Sequence, residues 1–318
     1  MNKEADFYKL EKNIVQFKKK IDELEYGEDP GKEDKIARLR QGIEKEWAKI
    51  SPRLTALHTV QIARHPKRPY TLDYIDYLAT DFMEIHGDRR AGDDPAIVGG
   101  LGFYKGRTTA FIGHQKGRST TERIERNFGQ PNPEGFRKAL RVMKMAEKFG
   151  LPVVTLIDTP GAFPGIEAEE RGQAEAIACN LKEISKLRVP VVNVVIGEGG
   201  SGGALAIGVG DRILMLQYSF YSVISPEGCA AILWKDQKAT DIAAKNLKIQ
   251  AEDLLSMGIV DKIIPEPPGA AHTDYEQTFK NVDKQLNMTL KKLEEISPEE
   301  RLEERYQKFR KIGIFAGE

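Results

Sequence analysis

The sequence predicts an α/β protein whose core of alternating strands and helices is flanked by a helical arm at each end. Strand and helix patterns alternate from Ala96 to Ile264, the order typical of α/β folds. Two apolar segments in that range, Leu151–Ile157 and Val189–Ile196, suit buried strands and are too short to cross a bilayer. Heptad-spaced apolar residues precede the core, and amphipathic helical patterns follow it.

The composition indicates a globular protein of the cytoplasm. The 318 residues include 48 Lys+Arg and 48 Asp+Glu, a formal net charge of zero, which argues against a nucleic-acid or membrane-surface protein. Cys179 and Cys229 form no CxxC pair and the histidines form no HxxxH pair, so neither a disulfide framework nor a metal site in this chain is expected. No apolar signal segment is visible near the N-terminus, and export is not expected.

Residues 1–52 predict a helical hairpin. Apolar residues at spacings of three and four mark two helices, joined by a loop over 26–32. The helix-forming positions are Phe7, Leu10, Ile14, Phe17, Ile21 and Leu24, then Ile36, Leu39, Ile43, Trp47 and Ile50. The hairpin covers the main domain or forms a subunit contact, and the sequence does not separate these alternatives.

The core is predicted over 53–272. Helical patterns over 53–64 and 71–85 flank a segment with Arg64, Lys67 and Arg68, which we expect to be an exposed loop. The following elements are strands over 97–104 and 107–114, a helix over 134–149, strands over 152–157 and 190–196, a short helix over 204–209, and strands over 212–216 and 221–224. Ser225 is expected to cap the next helix, with a proline behind it.

The C-terminal extension is predicted over 273–318. A Pro/Gly-rich loop over 265–271 ends the core. A long helix then starts near Tyr275, and a last one is capped by Ser297.

Two glycine-rich loops follow the most apolar strands: the first glycine loop, 158–165, and the second glycine loop, 197–203. Open α/β sheets bind ligands beyond the carboxyl ends of such strands. Amides in the first turn of a helix lack internal acceptors, so the amides of Gly202 and Gly203 could donate to an oxygen that becomes negative. A donor of this kind is worth about 3–4 kcal/mol in a transition state.

The glycine loops also match, in part, the motifs of other classes of enzyme. Ser201 is the centre of a G-x-S-x-G pattern between a strand and a helix, so a serine hydrolase is the alternative function; the one histidine that follows, His272, is expected to be an exposed loop residue. A DxxG pattern starts at Asp158, but no P-loop accompanies it. The glycine spacing also fits G-x-G-x-x-G, without the acidic residue that dinucleotide binding needs.

A general acid or base is not apparent from the sequence. Asp158 and Glu198 border the glycine loops, and either could simply hold backbone amides. The sequence offers backbone donors for an anion but no obvious base. This combination suggests that a cofactor supplies the bond-making chemistry.

Seven motifs in order resemble the alpha subunits of bacterial acetyl-CoA carboxylase carboxyltransferases. They extend from about Ile62 to His272. The matching segments are 63–72, 113–118, 127–129, 158–165, 168–173, 197–206 and 225–229. The resemblance implies a crotonase-like (ClpP/crotonase) fold, a spiral of β-β-α units with helical extensions.

The resemblance also implies a reaction and a site. Carboxybiotin gives its carboxyl group to acetyl-CoA, which yields malonyl-CoA for fatty-acid synthesis. The backbone hole for the biotin oxygen maps onto Gly202 and Gly203. Gly161 and Ala162 are assigned as backbone lining the biotin pocket, and Gly199, Gly200 and Ser201 as further substrate-binding positions.

Several partners follow from the resemblance. The beta subunit would provide the acetyl-CoA site and the family's zinc ribbon, in an α2β2 heterotetramer. Biotin would be attached to a separate biotin carboxyl carrier protein, and ATP would be used by a separate biotin carboxylase. No membrane or nucleic-acid partner and no metal in this chain are expected.

Overall fold

The structure, a computed structural model, describes residues 6–27 and 31–313 and contains one eight-stranded mixed sheet. The strands are β1 (Thr80–Glu84), β2 (Ile97–Tyr104), β3 (Arg107–His114), β4 (Val153–Thr159), β5 (Val191–Gly200), β6 (Arg212–Leu216), β7 (Phe220–Ser222) and β8 (Lys262–Ile264). They pair in the order β1-β2-β3-β4-β5-β6-β8, and β7 pairs with the end of β5. The β1-β2-β3 pairs are antiparallel and the remaining pairs are parallel.

Helices cover both faces of this sheet and form the arms. In chain order they are α1 (Phe7–Leu10), α2 (Lys12–Tyr26), α3 (Lys32–Ile50), α4 (Ala56–Ala63), α5 (Thr71–Leu78), α6 (Thr120–Glu125), α7 (Pro133–Lys148), α8 (Ile166–Glu170), α9 (Gln173–Ile184), α10 (Ser201–Leu205), α11 (Pro226–Leu233), α12 (Thr240–Asn246), α13 (Ala251–Ser256), α14 (Tyr275–Glu294) and α15 (Pro298–Arg310). The hydroxyls of Ser225 and Ser297 accept hydrogen bonds from the amides of Gly228 and Glu300, which confirms both predicted caps.

Each face of the sheet has its own apolar core. Side chains of α7 pack with alternate residues of β3, β4 and β5 on one face. Side chains of α5 and α14 pack on the other. Because both faces are covered, every residue of β4 and β5 is buried, as the continuous apolar patterns predicted.

The arm helices α2 and α3 pack against each other, with Ile14, Ile21, Ile43 and Trp47 in their shared core. The predicted first helix is interrupted by one residue, Glu11, between α1 and α2, although the amide of Glu11 still donates to the Phe7 carbonyl and the amide of Val15 to the Glu11 carbonyl. Of the loop predicted over 26–32, residues 28–30 lie outside the described residues.

Four other predictions are corrected by the structure. The short helix expected over 204–209 lies earlier in the chain, as α10 over Ser201–Leu205. The helix expected over 71–85 ends at Leu78, and β1 follows because it pairs with β2. Arg68, expected in an exposed loop, is 1 % exposed and bonds to Glu266 through both terminal nitrogens. The first four residues of the second glycine loop, 197–200, belong to β5, and the chain turns only at Ser201.

Candidate active site

The two glycine loops are neighbours at one edge of the sheet. β4 and β5 run parallel and adjacent, and Thr159 lies opposite Gly199 in their register. The first glycine loop leaves β4 at the same edge where β5 ends and α10 starts. This is the place at which α/β sheets bind ligands, so the structure brings together the residues that the sequence selected.

The backbones of the two loops approach each other closely. A Cβ atom on Gly203 would lie 2.5 Å from the carbonyl carbon of Gly161 and 2.5 Å from the amide nitrogen of Ala162. A Cβ atom on Gly200 would similarly overlap the carbonyl of Pro160. Glycine is therefore required at both positions by contact between main chains, and the Cα of Gly203 faces the first loop rather than open space.

The amides of Gly202 and Gly203 are in the first turn of α10. Neither donates a hydrogen bond to an acceptor outside this helix, among the residues that the structure describes. Gly202 is half-buried and Gly203 is buried. The preceding Ser201 is exposed and has φ of 48°, a left-handed conformation that is uncommon outside glycine and that turns the chain sharply from β5 into the helix.

Four charged side chains form a network directly beneath the loops. Lys116 Nζ donates to Asp158 Oδ1 at 2.7 Å and lies 3.4 Å from Glu198 Oε2. Asp158 Oδ1 also accepts the amide of Glu198 at 2.9 Å. Arg64 binds Glu198 Oε1 through Nε and a terminal nitrogen, at 2.9 and 2.6 Å. The two carboxylates therefore join the loops, and each is paired with at least one cation.

The pKa values follow from this pairing. Burial alone would raise the pKa of the Glu198 carboxyl, but Lys116 and Arg64 together hold it below its ordinary value. Burial disfavours the Lys116 ammonium, yet Asp158 and Glu198 raise its pKa above the ordinary value. Both groups therefore remain charged at neutral pH, and neither offers a free base to a substrate.

His114, the last residue of β3, lies behind the same loops. It is fully buried, and its Nε2 is 3.2 Å from the carbonyl oxygen of Gly203. The amide of Asp158 points at its Nδ1 from 3.4 Å. Burial lowers the pKa of His114 to about 3, so the ring is neutral.

An apolar groove of about 400 Å³ begins at Ser201 and extends along α10. Its lining is mostly aliphatic and aromatic; the residues include Leu205, Ile213, Val223, Leu254 and Phe309. Tyr221 also lines it, and its buried hydroxyl has no hydrogen-bond partner among the described residues. A Cβ atom on Gly199 would lie 2.7 Å from the Tyr221 ring. The groove can thus accept a mainly apolar group.

The hydrolase alternative lacks its base. His272 is 8 % exposed rather than an exposed loop residue, and its Nε2 is 2.9 Å from Glu11 Oε2. Within residues 6–27 and 31–313, the Ser201 hydroxyl bonds to no histidine. The strained turn at Ser201 thus occurs without the acid–histidine pair that a serine nucleophile needs.

Glu11, His65 and His272 form a buried cluster away from the glycine loops, which local spacing could not predict because the residues are remote in sequence. The imidazole rings stack with centroids 3.8 Å apart. The amide of Lys67 donates to His65 Nδ1 at 3.2 Å, so Nδ1 is an acceptor and the N–H of the ring is on Nε2, which faces Glu11 Oε1. A metal at that nitrogen would displace this proton to Nδ1, against the Lys67 amide. In this cluster the Glu11 carboxylate therefore accepts hydrogen bonds from the two imidazole rings.

The roles of His114, Lys116 and Arg64 were not predicted from the sequence. The position of His114 and Lys116 could have indicated a role, because both lie at the end of a predicted strand, where side chains of neighbouring parallel strands meet. Their partners could not be inferred, because these depend on which strands are adjacent in the sheet.

Comparison with known proteins gives consistent results. Residues 7–313 match the family model described as "Acetyl co-enzyme A carboxylase carboxyltransferase-like". The chain is 53% identical over 316 residues to the acetyl-coenzyme A carboxylase carboxyl transferase subunit alpha of Geobacter metallireducens, which covers 98% of this chain and 99% of the relative. It is 51% identical over 314 residues to the protein of the same name from Listeria monocytogenes serotype 4a, with 98% and 99% covered.

Solved structures with the same fold are more distant in sequence. A Pseudomonas malonate decarboxylase hetero-tetramer in complex with coenzyme A gives a TM-score of 0.60 at 16% identity, covering 74% of this chain and 91% of that chain. Transcarboxylase 12S gives a TM-score of 0.56 at 21% identity, and the match covers 70% of this chain and 42% of that chain. These similarities concern the fold alone and confirm the predicted crotonase-type α/β architecture. No helix within the described part of the chain has the length and hydropathy to span a bilayer.

Proposed function

The chain belongs to the family of acetyl-CoA carboxylase carboxyltransferase alpha subunits, and from that premise we infer that its two glycine loops bind the carboxyl donor. We propose that, with a beta subunit, it transfers the carboxyl group of carboxybiotin to acetyl-CoA and forms malonyl-CoA. The observation that carries this proposal is the pair of amides at Gly202 and Gly203, which bond to no acceptor outside α10 in the described part of the chain and lie next to the backbone of Gly161 and Ala162.

The amides of Gly202 and Gly203 would bind the ureido oxygen of biotin. Carboxybiotin supplies the carboxyl group, and the biotin left behind supplies the base for the methyl proton of acetyl-CoA. Backbone donors suit an oxygen that becomes negative, because they are fixed before the reaction and need no reorganisation. The close contact of Gly203 with the first glycine loop keeps these donors in place.

The charge network is consistent with this assignment. Asp158 is paired with Lys116, and Glu198 is paired with Lys116 and Arg64, so both carboxylates hold the loops in place. The carboxylates of Asp158 and Glu198 are therefore structural in this proposal, and the base for the reaction comes from the biotin itself.

The apolar groove at Ser201 fits the biotin group. The groove has room for a fused bicyclic ring and part of its aliphatic chain, and its aliphatic lining would exclude water from the reacting oxygen. Of the three further substrate-binding positions predicted from the sequence, Ser201 lines the groove, whereas Gly199 and Gly200 are buried at the end of β5 and lie outside its lining.

The exposed apolar face of α11 and α12 supports a partner subunit. Ile232, Leu233 and Ile242 are 67%, 68% and 52% exposed, and Val223 at the groove is 76% exposed. Apolar patches of this kind mark interaction surfaces. We propose that the beta subunit binds here, in an α2β2 heterotetramer, and brings acetyl-CoA to the groove.

The remaining components follow from the same proposal. Biotin arrives on a biotin carboxyl carrier protein, after a separate biotin carboxylase has charged it with the use of ATP. The reaction takes place in the cytoplasm.

Reconstitution tests the proposal. The purified chain, the beta subunit and their mixture are each supplied with acetyl-CoA and carboxybiotin on its carrier, and malonyl-CoA is measured by mass spectrometry. We expect product from the mixture only. A mixture that associates but forms no malonyl-CoA would refute the proposal, and labelling of Ser201 by a fluorophosphonate would instead favour a hydrolase.

A further inference from the structure

His114 connects the two glycine loops through one imidazole ring. The proposed reaction does not involve its ring, yet the ring is fully buried between β4 and α10. One nitrogen faces the amide of Asp158 in the strand that leads to the first loop. The other faces the carbonyl of Gly203 in the second loop.

One tautomer of the ring satisfies both of these partners, and the carbonyl of Leu156 is a further backbone group beside the ring. An amide N–H can only donate, so His114 Nδ1 must present its lone pair to Asp158. The neutral ring then has its proton on Nε2, where it donates to the Gly203 carbonyl. Both hydrogen bonds form together only in this tautomer. Protonation of Nδ1 would oppose the Asp158 amide, and burial already disfavours the charged ring.

Two further contacts fix the segment that carries His114. The hydroxyl of Thr71 donates to the His114 carbonyl at 2.5 Å. Two residues further along the chain, Lys116 links the Asp158 and Glu198 carboxylates. A Cβ atom on Gly129 would lie 2.6 Å from the Lys116 side chain, so the lysine stem is also confined. The ring of His114 therefore cannot rotate without breaking contacts on both sides.

We propose that His114 is a positioning residue for carboxyl transfer. Its bond to the Gly203 carbonyl sets the first turn of α10 directly, and the bond that it accepts from the Asp158 amide orients the ring for that contact. The amides of Gly202 and Gly203 are thereby aimed at one oxygen. This inference rests on the proposed function, and it assigns a role to the motif at 113–118.

Two matched variants separate the hydrogen bonds. In His114→Gln, the longer amide side chain can donate to the Gly203 carbonyl but leaves the Asp158 amide without its acceptor. In His114→Asn, the shorter side chain can accept from Asp158 but does not reach Gly203. Each variant is assembled with the beta subunit, and kcat and KM for carboxybiotin are measured together with the thermal midpoint.

We expect His114→Asn to lower kcat by about tenfold or more, because small displacements of aligned groups have effects of this size. The KM should change by less than about twofold. His114→Gln should retain a kcat within about threefold of the unmodified complex, although both variants lose one hydrogen bond and similar thermal stability. Equal losses of kcat in the two variants, or a loss confined to KM, would overturn the proposal.

A measurement on the unmodified chain covers the case in which the variants do not fold. ¹⁵N NMR of the histidine rings, assigned through single substitutions of the other histidines, reports the tautomer of His114. We expect a neutral ring with its proton on Nε2 from pH 6 to pH 8. A charged ring, or a proton on Nδ1, would overturn the inference. If the unmodified complex itself makes no malonyl-CoA, the proposed function fails instead, so the two failures are distinguishable.

Discussion

The glycine loops and the Glu11–His65–His272 cluster show that titratable side chains and chemistry need not coincide. The cluster has two imidazoles and a carboxylate in contact, yet its atoms are buried and bonded to one another. The loops present main-chain amides without a hydrogen-bonded partner outside α10 within the described chain. A search for catalytic side chains would select the cluster, whereas the proposed reaction needs preorganised backbone donors.

The difference predicts opposite responses to substitution. Changes at the loops should affect transfer more than stability, and changes at the cluster should affect stability only. The following predictions test that contrast, from the largest expected effect to the smallest.

Gly203→Ala should lower the rate of malonyl-CoA formation by about 100-fold or more, because its methyl group would overlap the backbone of Gly161 and Ala162. The two loops would separate and the donors would lose their alignment. The larger Gly203→Val would collide with the same backbone rather than extend into an open pocket. Steady-state kinetics of the reconstituted complex would measure the effect, and a complex that retains full activity would show that the contact is unimportant.

Lys116→Met should destabilise the chain by about 3–5 kcal/mol, because two buried carboxylates lose their shared cation. The pKa of Glu198 is depressed by this cation, so the stabilisation is present above the ordinary carboxyl pKa and is lost as the pH falls through the folded value. Urea unfolding should therefore show a large deficit at pH 7 that shrinks in acid. Lys116→Arg, which keeps the charge, is the control; a deficit independent of pH would contradict the electrostatic account.

Glu11→Gln should cost about 2–3 kcal/mol of stability and leave carboxyl transfer unchanged. Burial would raise the pKa of Glu11, but hydrogen bonds from His272 and His65 outweigh it and lower the value to about 2. The folded pKa lies below the ordinary one, so this stability is complete above about pH 4.5 and is lost as the pH approaches 2. Unfolding curves of both proteins between pH 3 and pH 7 measure it, and slower transfer by the folded variant would mean that the cluster acts on the site.

Sequence patterns predicted those elements whose bounds depend on residues close together in the chain. The strands β2 and β3 have the predicted bounds, because an apolar pattern and a Lys105-Gly106 turn define a hairpin. The ends of the buried strands β4 and β5 were also predicted to within a few residues, and they located the candidate site. In contrast, β1 was missed because Thr80–Glu84 continues a helical pattern and becomes a strand only by pairing with β2.

Long-range contacts explain the remaining misses. Arg68 and His272 have ordinary loop sequences around them, and nothing local shows that Glu266 and Glu11 are their partners. The roles of His114 and Lys116 likewise depend on the order of β3, β4 and β5 in the sheet. The site's glycines were predictable from sequence, whereas the side chains that hold them needed the fold.

Gly202→Ala gives the smallest expected effect. It tests whether position 202 needs only its backbone amide or needs glycine itself. A Cβ atom on Gly202 would lie 3.5 Å from Ile177 Cδ1, an ordinary contact, and alanine keeps the amide. We expect a kcat within about twofold of the unmodified complex and a stability unchanged or raised by about 0.4–1 kcal/mol, because alanine restricts the unfolded chain. Kinetics and urea unfolding measure both quantities. Since Gly203→Ala adds the same methyl group one residue later, comparable losses at both positions would mean that the loop needs glycine for flexibility and that the amides have no special part.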